Sequence, residues 1–230
     1  MTNFMSNSIF FGVALSLIAY EVGLLLKRKF KMAIFNPLLI SIIAVIAVLC
    51  LLHIDYDTYN QSGQYISYLL TPATVCLAVP LYQQMELLKK NLKAVVIGIV
   101  SGVLASLVSV LILARLFRLS HEQYVTLLPK SITTAIGMGV SEELGGIVTI
   151  TVAVIIITGV LGNMVAETVI KLAHIEEPIA KGLALGTSSH AIGTAKAMEL
   201  GEIEGAMSSL AIAVAGLLTV VGASVFAQFM

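Results

Sequence analysis

Charge is what this sequence has least of. Asp, Glu, Lys and Arg make up 11% of its 230 residues, against about 25% in an ordinary soluble domain. A soluble globule could not be clothed with so little, and the hydrophobic share of 58% points the other way. The formal net charge is zero, so no basic excess points to nucleic acid as a partner. Cysteine is as scarce. Cys50 and Cys76 lie inside apolar runs, far from any CxxC spacing, and read as small buried hydrophobes. No HExxH, P-loop, GxSxG or Cys/His ligand spacing occurs. Thr187-Ser188-Ser189-His190 invites a nucleophile reading, but no acid partner or oxyanion hole has an identifiable position. An enzyme is not expected, nor a metal or cofactor. The first apolar run has no basic stretch before it and its Lys/Arg cluster after it. It therefore reads as an uncleaved span and not as a signal peptide.

What the chain has is long apolar runs, several of them reaching the roughly 17–25 residues that cross a bilayer as a helix. The expected fold is an all-α polytopic integral membrane protein, with about six full spans and two broken or re-entrant helical segments. Spans are expected at Ile9–Leu26, from Asn36-Pro37 to Leu52, and at Tyr65–Tyr82, Ala94–Leu113, Ile147–Val169 and Ala206–Phe229. His53 to Asn60 reads as a polar loop, and Gln83 to Lys93 as a polar connector. By this division residues 1–119 form a four-span scaffold. Residues 120–230 hold two broken segments (129–143 and 183–199), each followed by a span.

The broken segments repeat. Aligned without gaps, Ala135–Ile147 matches Ala191–Ile203 at seven of thirteen positions, among them Gly137/Gly193, Glu143/Glu199 and Gly145/Gly201. A weaker third echo, shifted by 57 positions, pairs Pro72, Ala78 and Glu86 with Pro129, Ala135 and Glu143; chance explains it as well as descent does. Each segment is too short and too broken by Gly for a lipid-facing span. Irregular backbone at membrane depth is tolerated only where protein or a watery cavity covers it.

Lys and Arg favour cytoplasmic loops. If the segments are re-entrant, nine such residues lie inside (Lys27, Arg28, Lys29, Lys31, Lys89, Lys90, Lys93, Lys171, Lys181) against two outside (Arg115, Arg118). If they cross fully, the tally falls to seven against four. The bias favours re-entrant segments, which makes the two copies an inverted repeat. Broken helices meeting near the midplane in inverted repeats are a recurring transporter design.

A half-helix ending at depth presents unpaired backbone N–H groups and a dipole that favours an anion. Ser131, Thr133 and Thr134 in one segment, and Thr187, Ser188, Ser189, His190 and Thr194 in the other, could bind a small carboxylate there. Lys130 could supply charge at the first tip and Lys196 at the second. Gly137, Gly139, Gly186 and Gly193 would allow close backbone approach or a departure from helical geometry. Plainer roles stand beside these. Hydroxyls in membrane helices often bond back to their own helix, and small residues often serve only packing. Lys130 could snorkel, and His190 could be a hydrogen-bonded structural imidazole. Glu143 and Glu199 read as boundary charges, and Glu21 and Glu167 as snorkelling or interhelical pairs.

Several stretches resemble the LrgB/CidB family of bacterial membrane proteins, the CidB branch most closely. They are Asn36-Pro37-Leu38, Pro72 to Tyr82, Leu127 to Thr134, Glu143 to Gly146, Ala180 to Lys196 and Glu204 to Ala211, which together cover nearly the whole chain. The sequence departs from the common pattern at Ala135 and Val148, where relatives often carry Pro. The resemblance implies one of two activities. Some members are holin/antiholin-like modulators of murein hydrolase activity and autolysis, working with a small LrgA/CidA-type membrane partner. Others carry small monocarboxylates: pyruvate in some bacteria, glycolate and glycerate in a plant plastid relative. The expectation drawn here is a carrier of pyruvate-, lactate- or glycolate-like substrates by alternating access in the bacterial cytoplasmic (inner) membrane, with autolysis control as the alternative. The lipid bilayer is then an obligatory partner, and a homo-oligomer is compatible with the sequence.

Overall fold

The computed structural model describes residues 10–30, 35–76 and 78–230. The expected span start at Ile9, Lys31 of the basic cluster and Leu77 lie outside them. The chain packs as two units, Met1–Cys76 and Leu77–Met230. These are divided by packing, whereas the boundary at 119/120 divides the chain by repeat.

In the first unit α1 (Phe11–Phe30) packs against α2 (Pro37–Leu51) and α3 (Tyr56–Ser67), and α4 (Leu70–Cys76) follows. The start of α2 follows from Asn36-Pro37. Asn36 Oδ1 accepts the N–H groups of Leu38 and Leu39 at 2.9 and 3.2 Å. Pro37 takes a first-turn position where an N–H would have no partner anyway. Small residues let α1 come close: Gly12 N–H donates to Ser62 Oγ at 2.6 Å, and a Cβ on Gly23 would lie 2.7 Å from the Pro37 carbonyl. Two expectations change. Much of the polar stretch 53–60 is the first turn of α3 and not a loop. Cys50 and Cys76 are exposed, not buried, because an apolar side chain on a membrane helix is as well placed against lipid as inside.

Tyr65–Tyr82 is not one continuous helix. Tyr68 and Leu69 form a turn between α3 and α4, and the segment ends in α5 (Ala78–Gln83). Pro72 accounts for the turn: it lacks an N–H and crowds the carbonyl of Tyr68, four residues back, so it is accommodated in the first turn of α4. After α6 (Met85–Lys90) come α7 (Leu92–Leu116), α8 (His121–Leu127), α9 (Thr134–Glu143), α10 (Val148–Leu172), α11 (Pro178–Leu200) and α12 (Glu202–Phe226). A 3-10 turn at Ala227–Phe229 closes the chain.

Among the described residues three helices, Leu92–Leu116, Val148–Leu172 and Glu202–Phe229, have the length and apolarity to cross a membrane. Their packing is inside out relative to a soluble protein. In α12 Gly205, Ala206, Ser208, Ala211, Ala215, Gly216, Thr219 and Ala223 are buried, with Glu204 and Met207 beside them, while Leu217 and Val221 are about 70% exposed. On this helix mostly small residues face the protein and large aliphatic ones face outward, as suits lipid; α7 instead buries Val95, Ile99, Val103, Leu107 and Val110. This is a membrane protein. The C-terminal ends of α7 and α10 close in the same way: Arg118 and His174 adopt positive φ, and the N–H groups of Leu119 and Ile175 bond back to Ala114 and Ile170.

The two repeated segments fold as hairpins. Helix α11 is broken inside by Ser189 and His190. On its first arm Gly182 abuts the Glu204 carbonyl and Gly186 the Ser208 carbonyl, so this arm climbs alongside α12. Past the break, Thr194 reaches Ser208 and Met198 packs on Gly205, so the second arm descends. A Cβ on Gly193 would lie 2.5 Å from the Leu185 carbonyl. Eight residues of unbroken helix would separate them by about 12 Å. In the other hairpin α8 leads up to a turn at 128–133 and α9 returns. Gly137 packs on Ile155, and Ser141 accepts from Thr151 at 2.7 Å, so α9 and α10 run in opposite directions.

The hairpins enter from opposite ends of α7. The first arm of the α11 hairpin meets α7 at Gly98 (through Leu183) and Gly102 (through Thr187). The α8–α9 hairpin begins beyond the other end of α7 and reaches it through Ser131, which accepts from Ser106 at 3.1 Å. α12 runs parallel to α7, with Gly222 against Leu107 and Arg115 donating to the Phe229 carbonyl at 2.8 Å.

Glycine should matter where this tracing has arms touching. Gly186→Val drives a side chain into the Ser208 carbonyl and should lower stability by about 1–3 kcal/mol, seen as a fall in Tm of the purified protein in detergent. Gly139, where a Cβ meets nothing within 4 Å, should accept Ala with no loss. Equal Tm values for the two variants would contradict the hairpin packing.

Candidate functional site

The two tips face one another across three helices. On α7 the contact residues Gly102 and Ser106 are one turn apart, about 6 Å along the axis. On α10 a single residue serves both tips. The Ile155 side chain packs against Gly137, and its carbonyl lies 3.0 Å from His190 Nε2. On α12 the α11 hairpin ends near Ala211, and Ile136 of the other hairpin lies against Gly216. Ser131–Gly139 and Thr187–Ala195 thus converge near the middle of the spanning helices, through shared neighbours.

At the first tip Lys130 Nζ donates to Ser131 Oγ at 2.8 Å, and Ser131 is 5% exposed. Pro129 in the turn cannot donate, which keeps the backbone from continuing α8. Thr133 is the N-cap of α9 in extended conformation, with no side-chain cap bond. Thr133 and Thr134 are half-buried at the tip, where the first N–H groups of α9 have no partner within the helix.

At the second tip the backbone leaves helical geometry at Ser189 (φ −131°, ψ 15°) and His190 (φ 42°, ψ −136°). A β-carbon makes the second conformation costly, and such strain persists only where the surroundings enforce it. They do. Gly159 lies under the imidazole, Gly162 under Ser189, and a Cβ on either would clash. His190 is 4% exposed. A carbonyl can only accept, so the bond to Ile155 fixes Nε2 as the protonated nitrogen. Thr194 is fully buried between the His190 carbonyl, to which it donates at 3.1 Å, and Ser208 Oγ at 2.7 Å. Thr187 donates to its own helix at Leu183 O, 2.8 Å away. Ser188 is exposed and lies 3.1 Å from Ser189 Oγ.

Lys196 does not sit at the second tip. Its Nζ is 2.6 Å from Glu167 on α10 and 2.9 Å from Glu199, nearer the open end of the hairpin. Six residues of helix separate it from the break, so its reach is spent on a pair and not on the tip. Gly137, Gly186 and Gly193 lie at close approaches, whereas Gly139 faces open space and no approach requires a glycine there.

Sequence reasoning missed the residues that hold the tips. Ser106, Ile155, Asn163, whose Nδ2 donates to Ile192 O at 3.0 Å, and Ser208 all lie inside runs that read as plain spans. The one legible signal is the spacing Gly98-x-x-x-Gly102, which marks a close helix contact. A cleft of about 610 Å³ runs along that contact, from Asn91 and Glu177 at one end to Ala105 and Thr187 beside the second tip.

The LrgB-like family model matches residues 16–229 of the chain. Antiholin-like protein LrgB from Bacillus mycoides (strain KBAB4) is 39% identical over 221 residues, covering 96% of each chain. The proteins of that name from Bacillus cereus (strain B4264) and Bacillus anthracis (strain CDC 684) match to the same extent. No solved structure matches the chain.

Two glycines of α10 test the second tip. In an ordinary helix Gly→Ala stabilises by up to about 1 kcal/mol. Gly159→Ala and Gly162→Ala should do the reverse, because the new methyl groups meet His190 and Ser189. The expected result is a lower Tm in detergent for both; a gain would show that the tip does not sit against α10.

Proposed function

Because this chain belongs to the LrgB-like family, we propose that it acts as an antiholin-like protein, the role its relatives' names record. In this reading it is a multi-pass protein of the bacterial cytoplasmic membrane. It modulates murein hydrolase activity and autolysis together with a small LrgA/CidA-type membrane partner. The supporting observation is the extent of the match: 39% identity over 96% of both chains carries the spans and both hairpins together. Expressed in a Bacillus strain lacking its own antiholin-like protein, it should slow the loss of turbidity after a lytic challenge. Unchanged lysis with the protein present in the membrane would overturn the proposal.

The hairpin tips favour a second reading, transport of small monocarboxylates by alternating access. Both second arms start at the tips, so two helix N-termini point at mid-depth, where their dipoles favour an anion. Lys130 and Thr133 stand at one of them, and Ser189 and His190 at the other. The α8–α9 hairpin with α10, and the α11 hairpin with α12, have the form of an inverted repeat. In this reading each unit supplies one re-entrant hairpin and one crossing. Lys89, Lys90, Lys93, Lys171 and Lys181 gather at the end where the α11 hairpin enters, and Arg115 and Arg118 at the other. The positive-inside bias therefore assigns the first end to the cytoplasm, and the cleft beside Thr187 opens there.

Purified protein in liposomes should take up labelled pyruvate, lactate or glycolate, and Lys130→Met should cut the rate about tenfold or more, as loss of a charge-assisted contact does. Absence of uptake by the parent protein under imposed proton and sodium gradients would sink this reading. The two readings separate on His190→Ala. Lysis control intact in that variant speaks for partner contact alone, and its loss together with uptake makes flux the origin of the lysis effect.

A further inference from the structure

The second arm of the α11 hairpin, residues 191–200, is a short rod between two backbone breaks. One is Ser189–His190; the other is Gly201, whose extended conformation (φ 169°, ψ 168°) separates the arm from α12. The first arm buries Ile179, Leu183 and Leu185. The second buries only Gly193, Thr194, Lys196 and Ala197, and of these Ala197 alone is an apolar side chain. Burial of apolar area is what usually fixes an element, and this arm has little of it. Partly buried Ile192 and Leu200, with Met198 on Gly205, add some packing, and polar ties supplement it. The Ile192 carbonyl accepts from Asn163, Thr194 meets Ser208, and Lys196 reaches across to Glu167 at 2.6 Å. The Lys196 side chain is 11% exposed. Beside this ion pair lies a cavity of about 410 Å³ lined by Glu167, Ile170, Lys171, His174, Lys181 and Leu200, among others. It leaves the lower end of the arm room to move.

The other hairpin is built differently. The position aligned with Lys196 is Val140, which is 6% exposed, and α9 is fixed to α10 through Ser141 and Thr151, both fully buried. A charged tie therefore belongs to one hairpin of the pair.

The geometry points to the Lys196–Glu167 pair as a latch: it holds the second arm of the α11 hairpin closed against α10, and its release lets the arm swing about Ser189–His190 and Gly201. Opening uncovers the face around Ala197, which is closed in the latched state by Leu185 and Ala166. Lys196 is a positioning residue in this scheme. The inference goes beyond lysis control and transport, and its test reads neither.

The test is thiol accessibility in membranes. Cys50 and Cys76 are first replaced by Ala. One reporter, Ala197→Cys, is placed under the arm, and another, Ser141→Cys, in the opposite hairpin; both positions are fully buried. Lys196→Gln should raise the labelling rate of Ala197→Cys by a soluble maleimide about fivefold, as for loss of a partly exposed pair, and leave Ser141→Cys unchanged. An unchanged rate at Ala197→Cys overturns the latch. So does a rise at both reporters, which means that Lys196 supports the whole fold. If Lys196→Gln does not reach the membrane, Glu167→Gln breaks the same pair and carries the same outcomes.

Discussion

A helix that stops inside an apolar medium leaves backbone amides and carbonyls that only protein can satisfy. Most of the second unit answers to that constraint. Each hairpin tip and turn interrupts a helix, and side chains meet the backbone beside the interruptions. Thr126 Oγ1 accepts the Ile147 N–H at the foot of α10. Asn163 of α10 holds the second arm of α11 through the Ile192 carbonyl, and Thr194 bonds back to His190 within that arm. Several of the buried polar residues lie beside these breaks: Thr126, Ser131, Ser189, His190 and Thr194. Among the described residues no buried side-chain nitrogen or oxygen lacks a partner.

Close packing is the second half of the same solution. Two hairpins fit among three spanning helices only because glycine recurs where they touch: Gly98 and Gly102 on α7, Gly159 and Gly162 on α10, Gly182 and Gly186 on the first arm of α11. The conformation of His190 follows from this. With α10 stripped to glycine beneath it, the imidazole can reach the Ile155 carbonyl, and that bond offsets part of the cost of a positive φ. Ile155 then touches both tips, Gly137 through its side chain and His190 through its carbonyl.

The hairpins share an outline but differ in how they are held. The α8–α9 hairpin is fixed by buried hydroxyls and by the apolar contacts of Tyr124, Val125, Leu128 and Ile132. The second arm of the α11 hairpin relies on polar ties and small residues. Copies that align at seven of thirteen positions thus differ in what fixes them to α10, with Val140 in one where Lys196 pairs with Glu167 in the other.

Much was legible before any coordinates. Apolar length alone located α7, α10 and α12, Asn36-Pro37 located the start of α2, and the Gly- and hydroxyl-rich broken segments 129–143 and 183–199 contain both hairpin tips. These are local properties: a span needs only enough apolar residues in a row, and a break needs only residues that cannot continue a helix. Facing was not legible. In this chain the lipid side of a helix is as apolar as its protein side, so periodicity does not say which side Ser106 or Ile155 occupies. Nor could sequence say that Lys196 would turn from the tip to Glu167. Tertiary structure decided those matters, because they depend on where two hairpins, entering from opposite ends, come to rest against the same three helices.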